Sequence, residues 1–86
     1  MAMLSIVYFA WVREAIGRDE EQVERLDPGR TVADLVAMLA ARGGGYAEAL
    51  GDTARLRAAV DQRFVPMDSL IGEAKEVALF PPVTGG

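Results

Sequence analysis

The stretch Thr31-Val32-Ala33-Asp34-Leu35-Val36-Ala37-Met38-Leu39-Ala40-Ala41-Arg42 decides the architecture, because its apolar residues follow a helical period. Val32, Leu35, Val36 and Leu39 recur at i, i+3, i+4 and i+7, with Met38 beside them, and so line one face of a helix. Thr31 is a good N-cap. Asp34, three residues on, completes a capping-box-like pair. Gly43 supplies a natural stop. The spacing predicts one amphipathic helix over residues 31–42, whose apolar stripe needs a second layer to cover it.

The segments on either side supply that layer. Met3 to Phe9 reads as a strand, with Leu4, Ile6 and Tyr8 on one face and Ser5, Val7 and Phe9 on the other. Trp11 to Ile16 fits a short helical turn stopped by Gly17. Glu21 to Leu26 is a second, weakly patterned strand. Asp27-Pro28-Gly29 is a turn in which proline presets φ and glycine permits a positive φ. Beyond the helix, Tyr46 to Gly51 fits a short helix ending in an Asp52-Thr53 turn. Leu56 to Val65 reads as one strand or two, with Asp61-Gln62 where a tight hairpin turn belongs. Asp68 to Glu73 is loop-like. Glu76 to Phe80 is the last strand, with Val77 and Leu79 on one face and Ala78 and Phe80 on the other. The order is strand, strand, helix, then two or three strands: a two-layer α+β domain with a mixed sheet on one main helix.

Composition narrows the function. The chain has 86 residues, which is one small domain, and 51% of them are hydrophobic, which suffices for a packed core. Net charge is −4, from 13 acidic and 9 basic residues, a poor balance for gripping nucleic acid or an anionic membrane. The acidic cluster Asp19, Glu20, Glu21 and Glu24 reads as a solvated turn and strand face. The chain has no Cys and no His, which removes thiol nucleophiles, imidazole catalysis, disulfides and nearly every zinc site. Asp19-Glu20-Glu21 lacks the spacing and turn glycine of a calcium loop, so no metal site is expected. Gly43-Gly44-Gly45 follows a helix with no Lys near, unlike a phosphate loop, and reads as a helix cap and flexible loop. The uncharged start, Met1 to Val12, lacks a basic leader and falls far short of the roughly 18 apolar residues of a membrane span. A buried strand and a cytoplasmic protein are expected.

After Phe80 the pattern changes to Pro81-Pro82-Val83-Thr84-Gly85-Gly86. Two prolines remove two backbone donors and favour an extended exit from the sheet. Val83 and Thr84 also prefer extended backbone. Gly85 and Gly86 have no side chains and approach another backbone closely. The result is a stiff stalk with a thin, flexible tip, suited to a narrow channel in another protein. Residues 1–80 are thus expected to form the domain and 81–86 an extended tail. The carboxylate of Gly86 would be the reactive end. A carboxylate is a poor electrophile and needs activation, as an acyl-adenylate made on a partner with ATP and Mg²⁺. Sulfide delivered to that anhydride would leave a thiocarboxylate. Spacing alone does not identify sulfur as the cargo.

Two blocks resemble the MoaD family, the small subunit of molybdopterin synthase. The first is Tyr8-Phe9-Ala10-Trp11-Val12-Arg13-Glu14-Ala15-Ile16-Gly17. The second begins at Leu56-Arg57-Ala58-Ala59-Val60-Asp61-Gln62 and runs through Glu76-Val77-Ala78-Leu79-Phe80 into the Pro-Pro-Val-Thr-Gly-Gly tail. Residues 18–55 match weakly. The resemblance implies a β-grasp, ubiquitin-like fold and adenylation of the C-terminus by a MoeB-like activating enzyme. It implies sulfur transfer to Gly86, with Gly85 as the tip spacer, and no cofactor bound by this chain itself, since ATP and Mg²⁺ belong to the activating enzyme. It further implies insertion of Pro81, Pro82, Val83 and Thr84 into a MoaE-like large subunit, in a two-plus-two complex, where cyclic pyranopterin monophosphate gains its dithiolene sulfurs. Phe9, Phe64 and Phe80 would then contact the partner.

The pattern supports that assignment, because Phe9 and Phe80 fall on faces opposite the helix-facing sets, and an apolar patch on the open face of a sheet points to an interface. Asp61 stands where the family usually has Asn, which bears on the hairpin turn. Arg13-Glu14 matches the family and is expected to form a solvent-facing ion pair of little energetic weight. With no constellation of acid, base and nucleophile, the chain reads as a sulfur-donating subunit and not an independent enzyme. Three alternatives stand beside this reading: a ThiS-like carrier for another pathway, a ubiquitin-like modifier of lysines, and an interaction module whose tail does no chemistry. The chain length and the Pro-Pro stalk argue against the first.

Overall fold

The computed structural model describes residues 3–82. β1 (Met3–Tyr8) alternates as expected, with Leu4, Ile6 and Tyr8 buried and Ser5 and Val7 half-buried on the other face. Phe9 does not extend the strand. It is the N-cap of α1 (Ala10–Ile16), with extended backbone, and Ala10 behind it sits at φ 54°. Gly17 closes α1 at φ 89°, a conformation that a Cβ makes costly.

β2 (Glu20–Glu24) returns antiparallel to β1. The turn after it is closed by Arg30 N–H donating to the Asp27 carbonyl at 2.9 Å. Gly29 is not among the residues with positive φ, so this turn rests on Pro28 and makes no use of the freedom of its glycine.

α2 (Val32–Ala40) is the predicted helix, and both capping bonds are present. Thr31 N–H donates to Asp34 Oδ2 at 2.9 Å, and Asp34 N–H donates to Thr31 Oγ1 at 3.1 Å. Val32, Leu35, Val36 and Leu39 are fully buried. The helix stops earlier than Gly43, with Ala41 as C-cap. Gly43, at φ 80°, instead caps the start of α3 (Gly44–Leu50). The triple glycine is therefore a helix-to-helix corner and not a loose loop. Gly45 lies inside α3, where a Cβ would overlap the carbonyl oxygen of Ala15 in α1. Absence of a side chain there lets α3 pack directly on the end of α1.

A 3-10 turn (Thr53–Arg55), capped by Asp52 accepting from Ala54 N–H at 3.0 Å, leads into β3 (Arg57–Val60), β4 (Arg63–Val65) and β5 (Glu76–Phe80). The five strands form one sheet in the order β2-β1-β5-β3-β4. β1 and β5 pair in parallel at the centre, and the other neighbours are antiparallel. The helices cover one face. Leu4, Ile6, Tyr8, Val77 and Leu79 from the sheet meet Val12 of α1, the stripe of α2 and Leu50 of α3 in one core. Full burial of each such aliphatic side chain contributes about 1.5–3 kcal/mol, offsetting the entropy of ordering the chain. No helix among the described residues is long and apolar enough to cross a membrane.

Candidate functional site: an aromatic patch where the tail leaves the sheet

Among the described residues, no helix covers the other face of the sheet. Alternation sends Ala59, Ala78 and Phe80 to that face, and the registers Ala59↔Ala78 and Ala59↔Phe64 set them side by side. Phe9 arrives from the end of β1. The three phenylalanines meet there: Phe9 and Phe80 are edge-to-face with centroids 6.4 Å apart, and Phe64 and Phe80 are tilted at 5.6 Å. Phe64 is 81% exposed and Phe9 48%, a costly arrangement for an unpartnered side chain. The three phenylalanines predicted to contact a partner thus share one patch.

Ala59, Ala78, Ala10 and Gln62 border that patch as well, and sequence reasoning did not select them. The two alanines form a flat floor between the rings. Their signal was the small residue at alternate positions of two strands, which becomes meaningful only once the register is known. Pro81 and Pro82 line the same groove, so the chain leaves β5 across the patch. Val83, Thr84, Gly85 and Gly86 lie outside the described residues.

The hairpin beside the patch forms in spite of the Asp at position 61. Asp61 and Gln62 take φ of 48° and 69°, both left-handed, as a two-residue turn of the primed kind requires. The Asp61 carboxylate contributes directly: Oδ1 accepts from the backbone N–H of Lys75 at 2.9 Å and of Glu76 at 3.0 Å. It thereby ties the β3–β4 turn to the start of β5.

The acidic cluster is only partly solvated. Asp19, Glu20 and Glu24 are exposed, but the Glu21 side chain is only 8% exposed, on the helix-facing side of β2. Tyr8 and Tyr46 each donate a 2.7 Å hydrogen bond to its Oε2, and Arg42 pairs with Oε1 at 2.9 Å. Burial raises the carboxyl pKa, and the hydrogen bonds from Tyr46, Tyr8 and Arg42 outweigh it, holding the group below its usual value. Burial first, and the Glu21 bond next, push the Tyr8 phenol well above the ordinary phenol range. This cluster joins β1, β2, α3 and the residues after α2, so it braces the fold. Arg13 and Glu14 are both exposed and do not pair, since the ion pairs among the described residues converge on Glu21.

A mixed sheet grasping one main helix, with its last strand at the centre and a tail leaving beside an open apolar face, defines a ubiquitin-like β-grasp protein. The chain belongs to the ThiS family, which matches residues 6–86. It is 43% identical to the Escherichia coli (strain K12) molybdopterin synthase sulfur carrier subunit over 84 residues, 98% of this chain and all of that one. The solution structure of the Haloferax volcanii HVO 2177 protein is 28% identical with a TM-score of 0.74, covering 99% of this chain and 87% of that one. Subunits 1 and 2 of molybdopterin-converting factor from Helicobacter pylori have been solved as a complex, in which one chain shares this fold with a TM-score of 0.63 at 19% identity, over 98% of this chain and 99% of that one. The resemblance to the MoaD family is borne out by the named relative.

Proposed function

We propose that this chain is the sulfur carrier of a molybdopterin synthase, working in molybdenum cofactor biosynthesis. The observation that carries the reading is the end-to-end identity with the Escherichia coli carrier subunit. The geometry supports it, because the tail departs from the central strand across an exposed aromatic patch. A large subunit seated on Phe9, Phe64 and Phe80 has the tail within reach of its own pocket.

The chemistry runs at Gly86. Its carboxylate attacks the α-phosphorus of ATP on an activating enzyme that holds Mg²⁺, forming an acyl-adenylate and releasing pyrophosphate. Sulfide adds to that carbonyl and AMP leaves, giving the thiocarboxylate. The sulfur then attacks a carbon of the pterin precursor in the large subunit and displaces an oxygen substituent. Water cleaves the resulting thioester at its acyl carbon, so that the sulfur stays on the pterin and Gly86 regains its carboxylate. This chain supplies the tail, residues 81–86, and the docking face, residues 1–80 supply the fold, and the substrate pocket belongs to the partner. The cytoplasm, where ATP and the activating enzyme meet, is its place of work.

Intact mass after incubation with the activating enzyme, Mg-ATP and a sulfide source tests this. A gain equal to one oxygen replaced by sulfur, on the peptide ending in Gly86, is the expected result. No gain, with an enzyme active on another carrier, overturns it in favour of an interaction module.

A further inference from the structure

The open face of the sheet carries acid along its β2 edge and a base, Arg57, inside its aromatic patch. Register places Glu20, Gln22 and Glu24 of β2 on that face, opposite Val7, Ser5 and Met3. Within the patch, Arg57 of β3 stands opposite Phe80, between the strands that carry Phe80 and Phe64, and Glu76 of β5 lies on the same face opposite Ser5. Glu20, Glu24 and Arg57 are exposed, and none of them is in an ion pair among the described residues. Arg57 spends one N–H on the carbonyl of Leu56 at 2.8 Å, and its remaining donors meet no carboxylate among the described residues. An overall charge of −4 conceals this division.

We infer that the face takes a protein partner in one orientation, set by charge: an apolar surface over Phe9, Phe64 and Phe80, a basic side chain opposite Glu20 and Glu24, and a carboxylate opposite Arg57. The inference rests on the reading above that the patch seats the large subunit. The physical argument is desolvation. Docking on Phe80 takes water from the neighbouring Arg57, and a guanidinium left without an anion there weakens the complex. A partner that is simply basic would suit Glu20 and Glu24 and be repelled at Arg57. A partner turned end for end would set its basic group against Arg57 and its carboxylate against Glu20 and Glu24.

Association rates with the large subunit test this, using Glu20→Lys and Arg57→Glu. Both positions are exposed, and circular dichroism checks that each variant folds. The two reversals change net charge in opposite directions. Attraction to overall charge alone would therefore slow one and quicken the other. An oriented fit slows both, by about tenfold at low salt. The effect should vanish when ionic strength rises from about 0.01 M to about 1 M, where screening shortens from roughly 30 Å to roughly 3 Å. Phe80→Ala runs alongside. If it weakens binding while either reversal leaves the rate unchanged or faster, the oriented fit is wrong and the patch reading stands. If Phe80→Ala and both reversals all bind as the parent does, the patch reading fails and the inference falls with it.

Discussion

Phe64 and Phe80 touch across a strand that lies between them. β4 and β5 both pair with β3, yet the ring centroids are 5.6 Å apart, because the residue beneath them on β3 is Ala59. A larger side chain at Ala59 would part the rings.

Phe64→Ala should leave the melting temperature nearly unchanged, since the side chain is 81% exposed, and should weaken binding to the large subunit by about 2 kcal/mol if it is a hot spot. Calorimetric titration beside a thermal melt separates the two effects. A large fall in melting temperature with unaltered binding would return Phe64 to a structural role.

Glu21→Ala should cost roughly 2–4 kcal/mol in urea unfolding, because the phenol of Tyr8, in a residue only 1% exposed, loses its acceptor. The pH dependence has a definite sign. Glu21 has a folded pKa below its ordinary 4.5, so the unfolded chain takes up its proton first. The stabilisation is whole above about pH 4.5 and is lost as pH falls through the lowered folded value. Tyr8 works at the other end: its raised pKa stabilises fully below its ordinary 10.0, and that contribution fades as pH rises beyond it. A Glu21→Gln variant should flatten the acid limb. An acid limb identical to the parent's would remove Glu21 from the account.

Gly45→Ala should destabilise by about 1–3 kcal/mol, since the new methyl group meets the Ala15 carbonyl and α3 must shift. Gly29→Ala should do the opposite, gaining about 0.4–1 kcal/mol, because the site has open space and no positive φ. Equal melting temperatures for the two variants would contradict the packing of α3 on α1.

Asp61→Ala should cost about 1–2 kcal/mol through the loss of two backbone contacts at Lys75 and Glu76, while Asp61→Asn retains an acceptor and a tolerance of left-handed backbone. Amide exchange at Lys75 and Glu76 reads this directly: faster in the alanine variant, near the parent rate in the asparagine variant.

One residue added after Gly86 should abolish sulfur loading and leave the unfolding curve in place. Loading at the parent rate would separate the chemistry from the terminal glycine.

Much of this was legible in the sequence because it is local. The capping pair Thr31 and Asp34, the stripe of α2 and the alternation of β1 and β5 depend on neighbours within a few residues. The patch was half legible: Phe9 and Phe80 were placed on the open face by alternation, but Ala59 and Ala78 gain meaning only from strand register. Glu21 was misread because solvation of a carboxylate depends on partners from elsewhere in the chain, Tyr8, Arg42 and Tyr46. Gly45 was misread for the same reason: a close approach between two helices leaves no trace in the spacing of glycines.

The last strand in sequence is the middle strand in space, with β1 on one side and β3 on the other. Every other element must therefore be synthesised before the sheet can close, and its central parallel pair joins Ser5 to Glu76. Such long-range closure makes folding slow for a small domain and strongly cooperative. A nascent chain cut short before residue 76 has no centre to its sheet and a bare apolar stripe on α2, which marks it for degradation. The topology thus couples competence to fold with synthesis of β5, the strand that leads directly into the tail.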